Sequence, residues 1–62
     1  MSIMIKKIKI IKEITYNILL CRSKDKFYIN VAEGLDVHTV ADNIDNLDEA
    51  KKQFLELVWV MS

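Results

Sequence analysis

The chain has 62 residues, 52% of them hydrophobic, and its nine basic and nine acidic side chains give a formal net charge of zero. This length allows one small domain with a marginal core of its own, and the neutral charge argues against general nucleic-acid binding. Because Cys21 is the only cysteine and His38 the only histidine, we expect no internal disulfide, no metal site and no cofactor. Stability should therefore depend on tight packing and self-association, which predicts a homo-oligomer.

Charge is divided unequally along the chain. Residues 1–26 carry seven basic and two acidic side chains, whereas residues 27–62 carry two basic and seven acidic ones. This separation favours pairing between the two halves or association between copies; lysine-rich strands that simply face solvent are the alternative.

No segment resembles a membrane span or an export signal. Lysines at positions 6, 7, 9 and 12 interrupt the apolar N-terminal stretch well before the ~18 apolar residues that a span needs. With a single cysteine, a reducing cytoplasm is the expected location, which would be the host cytoplasm if the protein is phage-encoded.

The N-terminal half predicts two strands. In residues 3–12, Ile8 and Ile10 alternate with Lys7 and Lys9, as in an edge or half-exposed strand. This segment either breaks near residues 13–15 or continues as one bent strand. Residues 18–21 are apolar in succession, which is typical of a strand covered on both faces. Because one helix covers only one face, the other needs a second copy, a ligand or a partner.

The second half predicts two further strands and a helix. Residues 27–32 alternate cleanly, Gly34 marks a turn, and residues 35–41 alternate again, with Thr39 and Ala41 placed on one face. Asn46 is a suitable N-cap for a helix from Leu47, with Glu49 in the capping-box position. Six residues form its predicted core stripe: Leu47, Ala50, Phe54, Leu57, Val58 and Met61.

Two apolar residues lie outside this stripe and predict an interface. Leu55 and Trp59 are helical neighbours beside charged residues, and we name them the helix ridge. The predicted fold is a single α+β domain over residues 1–62. It is an antiparallel three- to four-stranded meander followed by one C-terminal helix packed on a sheet face, in the order β-β-β-β-α.

Six residues are candidate ligand contacts. An arginine can clamp phosphate, aromatic side chains can stack on a base, and histidine, threonine and asparagine can make polar contacts. The set consists of Arg22, Tyr16, Tyr28, His38, Thr39 and Asn43. Surface exposure for the arginine and packing for the tyrosines are the simpler alternatives. Because His38 and Asp36 have no sequence-placed nucleophile beside them, we predict no catalytic residues and no enzyme activity.

The segments "DKFYINVAEG" and "NLDEAKKQFLELV" resemble the strand, turn and helix start of HicB-type antitoxin domains, over residues 16–60. This resemblance implies a small protein-binding module. In general character the chain also resembles small phage anti-defence proteins that sequester nucleotide immune signals between subunits. Two functions follow as expectations: sequestration of an anionic, nucleotide-derived molecule by a homo-oligomer, or inhibition of a host protein.

Overall fold

The computed structural model describes residues 2–61 and confirms the predicted order of elements. Four strands are followed by one helix, and the strands form a single antiparallel sheet in the order β1-β2-β3-β4. Their bounds are β1 Ser2–Ile11, β2 Ile14–Ser23, β3 Lys26–Glu33, β4 Asp36–Ile44 and α1 Leu47–Val60. The chain is thus a four-stranded meander with its helix packed on one face.

A two-residue turn separates β1 from β2, so the first two segments are distinct strands. Lys12 and Glu13 form this turn with φ angles of 50° and 70°. Tight hairpins favour positive φ at both central positions because that geometry matches the twist of the strands. Side chains with a Cβ are disfavoured there by about 1–2 kcal/mol per residue, and neither position holds glycine or asparagine.

Replacing this turn by Asn-Gly should stabilise the protein. In the double variant Lys12→Asn/Glu13→Gly both residues accept the observed backbone at little steric cost, so we expect about 1–2 kcal/mol greater free energy of unfolding. Urea unfolding followed by circular dichroism measures the change.

Gly34 provides the control for this turn variant. Its φ is 59°, and a Cβ added there would meet nothing within 4 Å, so Gly34→Ala tests backbone conformation alone. It should lower stability by about 1 kcal/mol. If the Asn-Gly turn gave no gain while Gly34→Ala gave the expected loss, the left-handed turn at Lys12 and Glu13 would be contradicted.

The predicted alternation of β4 is wrong beyond Thr39. Thr39 pairs with Asn30, whereas Ala41 pairs with Ile29, and these two β3 residues point to opposite faces. The register shifts at this point, so Val40 is an extra residue on β4, and a second shift follows before Ile44 pairs with Phe27. These β-bulges return Ala41 and Ile44 to the core.

The helix begins as the sequence predicts. The Asn46 side chain accepts hydrogen bonds from the backbone N–H groups of Asp48 (2.8 Å) and Glu49 (3.2 Å). The Glu49 carboxylate accepts from Gln53 Nε2 at 3.3 Å. Asn46 is therefore a true N-cap, which satisfies two of the free N–H groups at the helix start.

The core lies between α1 and one face of the sheet. All six residues of the predicted stripe contribute: Ala50 and Phe54 are fully buried, and the other four pack around them. The sheet supplies Ile18, Leu20, Phe27, Ile29 and Ile44. The helix packs across β2, β3 and β4.

The opposite side of the sheet has no covering element among residues 2–61, and we call it the open face. Strand alternation and register assign its members, because directly paired residues share a face. Its apolar residues are Ile3, Ile8, Ile10, Leu19, Cys21, Tyr28, Ala32 and Val37, and Lys6, Asn17, Asn30 and Thr39 lie among them.

Candidate functional site

A concavity of about 930 Å³ opens at one end of the open face. The β2–β3 turn forms one wall and the bulged end of β4 forms the other, with β3 as the floor. Its lining is mostly polar and comprises Ser23, Lys24, Asp25, Lys26, Phe27, Tyr28, Asn30, Thr39, Asp42 and Asn43. This concavity is the candidate binding site.

Two left-handed residues shape the walls of this concavity. Lys24 in the β2–β3 turn has φ 58°, and Asn43 at the second β4 bulge has φ 55°. Asparagine tolerates this conformation better than most residues, whereas lysine does not. On the floor, Thr39 Oγ1 donates to Asn30 Oδ1 at 2.8 Å, so the Asn30 amide nitrogen is the group left to donate to a ligand.

Charges in the concavity are balanced. Its lining holds two lysines and two aspartates, and Lys26 forms an ion pair with Asp45 outside the lining. Both partners of this pair are substantially exposed, so it contributes little to stability. With Lys26 paired to Asp45, Lys24 is the lining cation placed to meet an anionic group, and the lining has no excess of positive charge.

The Tyr28 side chain is the aromatic element of this site. Its hydroxyl is buried and has no partner in hydrogen-bond geometry among the described residues. Burial raises the pKa of the Tyr28 phenol above its ordinary value of 10.0, and the adjacent Cys21 thiol raises it further. The hydroxyl is therefore a neutral, unsatisfied donor at neutral pH.

The structure brings together three of the six predicted ligand contacts. Tyr28, Thr39 and Asn43 all line the concavity. Tyr16 and His38 pair with Glu33 and Val31, which places both on the helix side of the sheet. These two residues are therefore separated by the sheet from the other three.

Arg22 lies close to the concavity without lining it. By alternation its side chain belongs to the helix side, and its Nε donates to the Lys24 carbonyl oxygen at 3.0 Å. The arginine thus supports the β2–β3 turn. The residues that sequence reasoning missed, Ser23, Lys24, Asn30 and Asp42 among them, are brought together by the β2–β3 turn and the bulged end of β4.

The helix ridge is exposed, as its position predicted. The Leu55 side chain is 60% exposed and that of Trp59 is 81% exposed. A groove of about 300 Å³ also runs between α1 and β4, lined by Ile29, Val40, Ala41, Gln53, Glu56, Leu57 and Val60. This is a second surface with apolar character.

Residues 2–61 contain no helix long and apolar enough to cross a membrane, and no group of three histidine, cysteine or acidic side chains placed to hold a metal ion. Compared with known proteins, the chain matches no family model, no curated protein and no solved structure.

Proposed function

We propose that this protein is a non-enzymatic binding protein that sequesters an anionic, nucleotide-derived small molecule in the concavity. One observation supports this most strongly: Tyr28, Asn30, Thr39 and Asn43 line one concavity on a face whose other residues are mostly apolar. In a phage-type accessory protein, sequestration of such a signal would inhibit host defence. Assembly of copies would enclose the ligand.

Each lining group has a role suited to a nucleotide. The Tyr28 ring provides a flat surface for a base, and the Asn30 amide can donate to the ligand. The Lys24 ammonium can approach a phosphate from the rim, while the Asp42 carboxylate can accept from a base or a ribose hydroxyl. The balanced charge is consistent with this division of roles.

Binding without turnover follows from the placement of the titratable groups. His38 and Asp36 lie on the strand that borders the concavity, but on the helix side of the sheet. Neither can reach a ligand held on the open face. This placement supports recognition of a ligand more than its transformation.

The proposal is tested by titrating the protein with cyclic and linear nucleotides in a calorimeter. The variant Lys24→Gly/Asn43→Gly removes two lining side chains at positions where glycine accepts the backbone without strain. We expect affinity for the bound nucleotide to fall at least about tenfold. His38→Ala, on the opposite side of the sheet, is the matched control and should bind normally.

Release of the ligand separates sequestration from catalysis. After heating, the bound nucleotide should be recovered chemically unchanged in mass spectrometry. Uptake of no nucleotide in the panel, or recovery of a cleaved product, would refute the proposal.

A second candidate function is inhibition of a host protein through the helix ridge. The high exposure of Trp59 favours it, because a large aromatic side chain on a helix surface is typical of protein interfaces. A partner protein bound at the helix ridge would shift the Trp59 fluorescence to shorter wavelength. If this were the function, the chain itself would take up no nucleotide. The ligand titration therefore distinguishes the two functions.

A further inference from the structure

The first strand exposes its apolar side chains on the side away from the helix. Ile8 and Ile10 lie on the open face, whereas Lys7 and Lys9 lie on the helix side. α1 packs across β2, β3 and β4, so the helix would cover little of β1 in either orientation, whereas a covering on the open face would bury Ile8 and Ile10. Ile8 is 58% exposed and Val37, at the other edge of the same face, is also 58% exposed. The face therefore has the composition of a surface that is covered.

The open face is large enough for a stable interface. Four strands of 8 to 10 residues form it. At about 3.3 Å per residue and about 4.8 Å between strands, such a sheet measures roughly 30 by 19 Å. Its area of about 570 Å² is close to the lower end of the roughly 600–1,000 Å² per partner that specific protein interfaces bury. A second sheet of the same size would cover it completely.

The distribution of charge favours a second copy of this sheet as the partner that covers the open face. On the open face β1 presents Lys6, whereas the bulged end of β4 places Asp42 in the concavity that opens onto this face; Lys7, Lys9 and Asp36 lie on the helix side. The charge of β1 in one copy is thus complementary to the charge of β4 in a second copy. Stacking each strand on its own copy would bring lysine onto lysine.

We infer that two copies dimerise by packing their open faces together about a two-fold axis parallel to the strands. This axis superposes β1 of one copy on β4 of the other, within the angle of about 30° usual for stacked sheets. Register places Lys6 in the same row as Thr39, and Ile8 in the same row as Val37. Ile8 therefore packs against the partner's Val37, and Lys6 lies beside the partner's Thr39 and Asp42.

This dimer deepens the proposed function, on which its role in ligand binding rests. The concavity opens onto the same face, so the partner's β1 forms the missing wall of the pocket. A ligand would then be enclosed between subunits, and each dimer would hold two equivalent sites. The number of ligands bound per dimer tests the shared pocket, and the mass of the protein tests the dimer separately.

The dimer is tested by a charge-reversal cycle in sedimentation equilibrium. Lys6→Glu and Asp42→Lys should each weaken dimerisation about tenfold, because each places like charges together across the interface. The double variant Lys6→Glu/Asp42→Lys should recover to within about threefold of the unmodified protein. Additive losses with no recovery would overturn the proposed two-fold arrangement.

Apolar positions give a second test with a matched control. Ile8→Lys and Val37→Lys, both at exposed positions that should leave the core folded, should weaken dimerisation at least about a hundredfold. Trp59→Lys, on the helix ridge, should leave the dimer intact. Dissociation by Trp59→Lys alone would overturn the inference and place the interface on the ridge. A monomer that still takes up nucleotide would overturn the dimer while leaving the proposed function in place.

Discussion

Phe54→Ala should leave a large fraction of the protein unfolded at room temperature. The Phe54 side chain is 0% exposed and lies at the centre of the cluster formed by α1 and the sheet. Truncating such a phenylalanine costs about 3–5 kcal/mol through lost burial and the cavity left behind. A chain of 62 residues has a total stability of roughly 3–9 kcal/mol. The loss is therefore comparable with the whole stability, and urea unfolding measures it.

The neighbouring residue provides the control for this change. Leu55 follows Phe54 on the same helix but is 60% exposed, so Leu55→Ala keeps the helix and removes only surface contacts. Its effect should lie within about 0.5 kcal/mol of zero. Equal losses for the two variants would mean that the helix does not pack on the sheet through the predicted stripe.

The second large effect is a dependence of stability on protein concentration. A dimer that covers the open face is linked to folding, because the unfolded chain cannot dimerise. Raising the protein concentration a hundredfold should stabilise the folded dimer against unfolded monomers by about 2.7 kcal per mole of dimer, from mass action alone. The unfolding midpoint in urea or on heating should rise accordingly.

Ile8→Lys is the control that removes this dependence. Its unfolding midpoint should be low and should not change with concentration, since the variant stays monomeric. If the unmodified protein behaved in the same way over a hundredfold range, the open face would be stable in water and no dimer would form at these concentrations.

The architecture and the core could be predicted because both depend on local patterns. The period of the helix identifies the stripe from Leu47 to Met61, and Asn46 marks its start, since helical geometry leaves little freedom in these assignments. The alternation of Ile8 with Lys7 also predicts correctly that these two side chains lie on opposite faces of β1. Which of these faces meets the helix depends on pairing with β2 and cannot be deduced from β1 alone.

The candidate site was less predictable because it depends on bulges and turns. A bulge moves every later residue to the opposite face, and nothing in the sequence around Val40 marks its place. Simple alternation, without any bulge, places Tyr16 and His38 on the face opposite Tyr28 and Thr39, so side-chain chemistry alone does not define the site. Lys24 and Asn30 have no distinctive chemistry in the sequence, and only the folded β2–β3 turn and β4 bring them together.

The mass of the unmodified protein in solution tests the central claim most directly. The chain has a mass of 7.2 kDa, and sedimentation equilibrium at micromolar concentrations should give twice this value. A particle of one chain's mass, unchanged as the concentration rises, would show that the isoleucine-bearing side of the sheet needs no second copy to cover it.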